Sequence, residues 1–118
     1  MDLGCGNGSH MLDLSRHGFT VTGFDISESG LELARDKFKR NRLRANFFVG
    51  SMRQPLPFSN EEFDAIICLR TLNHGEKDQV QKTVNEMRRV LKTNLRKRNE
   101  FSGFCARGFS SQNSTHGY

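Results

Sequence analysis

Along residues 1–92 the apolar positions change period repeatedly, and each change marks an element. Residues 19–24 alternate Phe, Thr, Val, Thr, Gly, Phe, a β-branched and aromatic pattern that predicts a strand. Residues 46–49, Asn-Phe-Phe-Val, predict another strand. Residues 63–69 hold a nearly unbroken apolar run, the pattern of a strand covered on both faces. Between these lie helical spacings. Met11, Leu12 and Leu14 give residues 9–17 a short apolar face, and Gly18 suits the left-handed position beyond a helix end. Leu31, Ala34 and Phe38 form a stripe at i, i+3 and i+7. Ser27 is a good N-cap for that helix, with Ser29 and Glu32 as a second capping option. Val80, Thr83, Val84, Met87, Val90 and Leu91 mark the clearest amphipathic helix, from about Glu76 to Leu91. Pro55 and Pro57 make residues 54–58 a loop. Residues 1–3 fit only the end of a strand.

The candidate chemistry starts at that strand end. Asp2 stands two places before Gly4, and Gly6 and Gly8 follow at alternate positions. Glycines spaced so let the backbone adopt positive φ and let a ligand approach without a Cβ in the way. The loop opens onto a helix N-terminus, a small-molecule site in open α/β folds. A dinucleotide fingerprint places its third glycine three residues after the second; here the interval is two, which disfavours a nicotinamide dehydrogenase. Asp25 closes the second strand, where a carboxylate can accept from both ribose hydroxyls. The plainer role for Asp25 is an acid at a helix N-terminus, worth a few tenths of a kcal/mol.

The loop resembles D-x-G-x-G-x-G, motif I of the class I S-adenosylmethionine-dependent methyltransferases. Residues 56–58, Leu-Pro-Phe, are similar to the segment before the family's fourth strand. Residues 63–69 are similar to its F-D-apolar strand, and residues 86–92 to the E-x-x-R-V-L-K end of its fourth helix. The resemblance covers residues 1–92 and then stops, because Thr93 and Asn94 stand where a proline and glycines should follow. It implies an incomplete α/β, Rossmann-like, doubly wound parallel sheet of order 3-2-1-4, with the motifs along one edge. The fourteen residues from Gly50 to Phe63 suffice for a parallel crossover.

It also implies S-adenosylmethionine as cofactor and methyl transfer to an acceptor the sequence does not name. Asp2 would orient the loop and the methionine amine. The backbone of Gly4, Cys5, Gly6, Asn7 and Gly8 would approach the cofactor, Asp25 would hold the ribose, and Ile26 and Met52 would lie on the adenine. Ser51 stands where the family often has aspartate. Cys68 would line the site through its backbone, as a buried apolar residue rather than a nucleophile. Asn73 and His74 would face the acceptor, although His74 reads equally as an ordinary helix N-terminal residue. No general base is assigned.

Composition narrows this further. The chain has 118 residues and a mean hydropathy of −0.64, room for one modest domain. No apolar run approaches a membrane span, and no leader precedes the glycine loop. Cys5, Cys68 and Cys105 form no C-x-x-C pair, which argues against a zinc site or disulfide framework and for a reduced, cytoplasmic protein. From Lys92 onward five basic residues face one acid, Glu100, so most of the net charge of +5 lies there. Residues 93–118 are basic, then rich in Ser, Gly and Phe, and are expected to be unstructured. A nucleic-acid or protein interaction module working through that tail is the alternative to an enzyme. The basic run on residues 35–44 is expected to be a solvated helix face, with a nucleic-acid patch as the alternative. Finally, a three-residue first strand is short against about five or six for an ordinary one. The expectation is therefore a poorly held loop, weak cofactor binding and no turnover by the chain as written.

Overall fold

The computed structural model describes residues 1–69 and 76–92. They fall into two units, Met1–Met52 and the described part of Arg53–Tyr118.

The first unit runs β1 (Asp2–Leu3), α1 (Ser9–Arg16), β2 (Thr22–Asp25), α2 (Glu28–Arg40) and β3 (Asn46–Val49). The strands are parallel and ordered β1-β2-β3, the 3-2-1 portion of the expected sheet. Asp2 and Leu3 pair with Gly23 and Phe24, and β2 pairs with β3 from Thr22–Asn46 to Asp25–Val49. Central β2 is buried over its first three residues, whereas β3 is largely exposed. The α2 stripe is buried as its spacing requires: Leu31, Ala34 and Phe38 face the sheet, with Met11, Val21 and Cys5 in the same core. Burial of side chains such as Leu31 and Phe38 stabilises by about 1.5–3 kcal/mol each. Phe47 adds an edge-to-face contact with Phe38, ring centroids 5.5 Å apart.

Local chemistry sets the helix ends. Ser27 caps α2 by accepting from the Gly30 amide at 3.1 Å, so the Ser29–Glu32 option is unused. After α1, the Gly18 amide donates to the Ser15 carbonyl and the Phe19 amide to the Leu14 carbonyl, the paired bonds of a Schellman motif. This corrects the expected strand over residues 19–24. The Phe19 amide is spent on the helix end, so β2 begins only at Thr22.

The second unit holds α3 (Lys77–Val90), close to its expected bounds. It buries Thr83, Val84, Met87 and Val90, and the Thr83 hydroxyl is satisfied by the Gln79 carbonyl at 3.0 Å. Of the fourth strand expected at residues 63–69, bridge residues are formed at Phe63 and Ile67. Phe63 makes an isolated parallel bridge with Leu91. Its amide donates to the Val90 carbonyl and its carbonyl accepts from the Lys92 amide. The expected burial of the run persists at Ile66 and Cys68.

Residues 86–92 have a structural reason for their pattern. Arg89 forks onto Glu86, with Nε to Oε2 at 2.8 Å, and also donates to the carbonyls of Leu56 and Phe58 at 3.0 and 2.9 Å. Glu86 Oε1 accepts from the Leu56 amide at 2.8 Å. The pair thus fastens the Leu-Pro-Phe loop to α3. The hydrogen bond from Arg89 holds the Glu86 carboxyl below its ordinary 4.5. A depressed carboxylate stabilises the fold above its unfolded pKa, and this is lost as pH falls through the folded value. Arg89→Ala is therefore expected to cost about 2 kcal/mol in urea unfolding at pH 7. The deficit should shrink once pH drops well below 4.5, and Arg89→Lys should not restore it because an ammonium cannot make the fork.

Candidate cofactor site

Parallel strands put their carboxyl ends on one edge, so β1, β2 and β3 deliver residues 4–8, 25–26 and 50–52 to the same edge of the first unit. Asp25 is the link between them. Its Oδ2 accepts from the Gly6 amide at 2.7 Å, and its Oδ1 accepts from the Ser27 amide at 2.8 Å. Its carbonyl accepts from the Gly50 amide at 2.9 Å. The side chain therefore fastens the glycine loop to the start of α2. Each carboxylate oxygen keeps a lone pair, so two more donors can be accepted.

The glycine loop is held by these bonds rather than by a long ladder. The Phe24 carbonyl accepts from the amides of Gly4 and Cys5 at 2.7 and 3.2 Å. Asn7 Oδ1 accepts from the Ser9 amide and hydroxyl at 3.3 and 3.0 Å and caps the entry to α1. The Cys5 thiol points into the core, where burial first, then Asp2 and Asp25, push its pKa to about 12. The loop thus uses Cys5 through its backbone, with an unreactive thiol.

Gly6 and Gly8 serve different ends. At Gly8, φ is +80° and a Cβ would stand 2.7 Å from the Ala34 Cβ, so this position lets α1 and α2 approach. At Gly6, φ is +54° and a Cβ would meet nothing within 4 Å, so the space beside it is open. Gly8→Ala is expected to cost 2 kcal/mol or more in urea unfolding, from overpacking and backbone strain together. Gly6→Ala should cost about 1 kcal/mol, the backbone term alone.

Asp2 is the anomaly. It is buried at 3% exposure, and its Oδ2 has no hydrogen-bond partner. Desolvation raises its pKa from 3.8 to about 6, against the opposing pull of His10. A carboxyl more basic folded than unfolded holds an extra proton between pH 3.8 and 6, so its contribution to stability declines as pH rises through that window. At roughly 1.4 kcal/mol per pKa unit the loss reaches about 3 kcal/mol at neutral pH. Asp2→Asn is expected to remove most of this decline and to be the more stable chain at pH 7. Unfolding measured from pH 4 to pH 7.5 checks this.

The remaining expected residues divide by unit. Ile26 is 71% exposed beside Asp25, an open apolar surface. Ser51 and Met52 are half-buried after Gly50. Cys68 lies in the second unit, buried with a free thiol. Asn73 and His74 fall outside the described residues, as does the tail from Thr93. Sequence reasoning missed Gly30 and read Ala34 only as part of the α2 stripe, yet both admit the loop: a Cβ on Gly30 would come within 3.3 Å of the Gly6 carbonyl oxygen. The available signal was their small size on the α2 face. Among the described residues no His, Cys, Asp or Glu cluster could hold a metal, and no helix is long and apolar enough to cross a membrane.

A three-stranded parallel sheet with a glycine loop and an acid on one edge defines an incomplete Rossmann-like α/β fold. The chain belongs to the methyltransferase domain family, whose model matches residues 1–94. A ubiquinone biosynthesis O-methyltransferase of Rickettsia canadensis is 33% identical over 79 residues, covering 67% of this chain and 33% of that protein. Among solved structures, the PH0226 protein of Pyrococcus horikoshii matches with TM-score 0.72 and 37% identity, over 77% of this chain and 42% of that one. Magnesium protoporphyrin IX methyltransferase of Synechocystis, solved with bound SAM, matches with TM-score 0.64 and 28% identity, over 73% and 41%. The chain spans about a third of the length of the curated relatives it matches. S-adenosylmethionine is the family's cofactor, and the residues present fit it: a buried carboxylate with one unpartnered oxygen, a second carboxylate with free lone pairs, and open space beside Gly6.

Proposed function

We propose that this chain supplies the cofactor-binding half of an S-adenosylmethionine-dependent methyltransferase. The observation that carries the reading is the Asp25 carboxylate holding Gly6 and Ser27 while retaining acceptor capacity toward the open side of the loop. In its bound form the cofactor supplies a methyl group on a sulfonium, whose transfer is an in-line displacement. Such a reaction is served mainly by positioning and exclusion of water, so no general base is assigned.

The roles follow from the donors and acceptors present. Asp2, buried and unpartnered, would take the ammonium of the methionine part, which returns it to the carboxylate form. Asp25 would accept from the ribose hydroxyls. Gly4, Cys5, Gly6, Asn7 and Gly8 would present backbone to the cofactor, with Gly6 the point of closest approach. Ile26, Ser51 and Met52 would flank the adenine. Cys68, Asn73 and His74 remain assigned to the methyl and acceptor side on the family resemblance alone. A cytoplasmic location belongs to the same proposal. The acceptor nucleophile is not identified, and the alternative of an interaction module in the tail falls outside the described residues.

Calorimetric titration with S-adenosylhomocysteine tests the reading. The parent chain should bind weakly, as its short first strand implies, and Asp25→Ala should weaken binding tenfold or more while still unfolding cooperatively. Affinity should also rise from pH 5 to pH 7 as Asp2 loses its proton, and Asp2→Asn should flatten that rise. Equal binding by the parent and Asp25→Ala would overturn the assignment.

A further inference from the structure

The first unit separates its charges. Asp2, Asp25 and Glu28 lie toward the carboxyl edge of the sheet, whereas residues 35–44 carry six basic side chains against one acid, Asp36. α2 runs back from the Asp25 edge, so its C-terminal half and the following loop reach the opposite edge, where Thr20 and Asn46 lead into β2 and β3. There the surface is concave, a groove of about 430 Å³. Arg35, Lys39 and Arg44 line it, over an apolar floor that includes Phe38, Leu43 and Phe47. The Arg35 guanidinium lies 5.6 Å from the Phe47 ring centroid. Among the described residues none of the three cations is in an ion pair.

A helix C-terminus favours cations through its dipole, but only within the last turn. Arg42 and Arg44 lie beyond the helix. Arg42 moreover stands at φ +55°, at the position where the Arg42 and Leu43 amides close α2 onto the Lys39 and Phe38 carbonyls. Glycine is the usual residue there. A cation held at a backbone site that suits glycine points to a use for its charge.

We propose that this groove binds the backbone of a single-stranded nucleic acid, with phosphates on Arg35, Lys39 and Arg44 and a base over the apolar floor. The choice of a strand over a lone phosphate rests on extent. Arg40 and Arg42 are exposed as well, so residues 35–44 carry more positive charge than one phosphate can neutralise. The choice over a flat anionic surface rests on the lining, because the lysine and two arginines surround a shallow groove in which Phe47 is partly exposed. The site lies on the sheet edge opposite the glycine loop, so it is independent of the cofactor reading.

Fluorescence anisotropy of a labelled twelve-nucleotide oligouridylate with the full 118-residue chain tests this, across a salt series. Lys39→Gln with Arg44→Gln should weaken binding tenfold or more and reduce the salt slope by about 1.4, at roughly 0.7 per single-strand phosphate contact. The matched change Lys77→Gln with Lys82→Gln, on α3, should leave both unchanged. Arg42→Gly should weaken binding while raising the unfolding midpoint, a combination that simple loss of structure does not give. Equal effects of the two paired variants would overturn the proposal, since the charge would then act from anywhere on the chain. Displacement of the strand by millimolar uridine monophosphate or pyrophosphate as readily as by unlabelled strand would overturn it too, in favour of a single-phosphate site.

Discussion

The Asp25 carboxylate is the point on which the first unit depends. One side chain at the end of a four-residue strand accepts from an amide nineteen residues upstream and another two residues downstream. Both bonds are charge-assisted, so each is roughly twice as strong as a neutral one. Together they lock a loop whose backbone enters the left-handed region at Gly4, Gly6 and Gly8. A loop of that shape has no regular ladder of its own and would otherwise lose its order to entropy. Under the proposed reading the same carboxylate would hold the ribose, so loop stability and ligand recognition would share one group.

Asp2 works against this economy. Its burial without a partner destabilises the unit at neutral pH, and a cationic ligand group would reverse that cost. Buried polar groups are rarely left unsatisfied. An exception beside a positive-φ glycine loop is where binding chemistry is expected to concentrate. Asp25 fastens the glycine loop, and Asp2 leaves a buried oxygen beside it without a partner.

The second unit relies on a different device. Arg89 and Glu86 lie one turn apart on α3, and their planar groups reach the backbone of a proline-containing loop that cannot make its own ladder. The loop's polar groups are satisfied from a helix instead, which explains why a charged pair interrupts the otherwise apolar face of Val84, Met87 and Val90. The family-like phrase at residues 86–92 is thus a fastening for residues 56–58.

Much of this was legible in the chain itself. The bounds of β3, the Ser27 cap, the Gly18 helix end and the buried stripe of Leu31, Ala34 and Phe38 follow from local rules, because each depends on residues within about one helical turn. The acid-and-glycine loop and the acid after β2 were expected on one edge of the sheet, and they share it. Tertiary structure decided what local rules cannot reach. Helix closure took the Phe19 amide and shortened β2, and Phe63 found its bridge partner in Leu91, twenty-eight positions later. Gly8 proved to be a packing residue because Ala34, twenty-six positions later, lies against it. Asp25 became a clamp because β-sheet register placed its carboxylate beside the Gly6 amide. Burial alone, a property of the whole fold, turned Asp2 from an ordinary acid into one poised near pH 6.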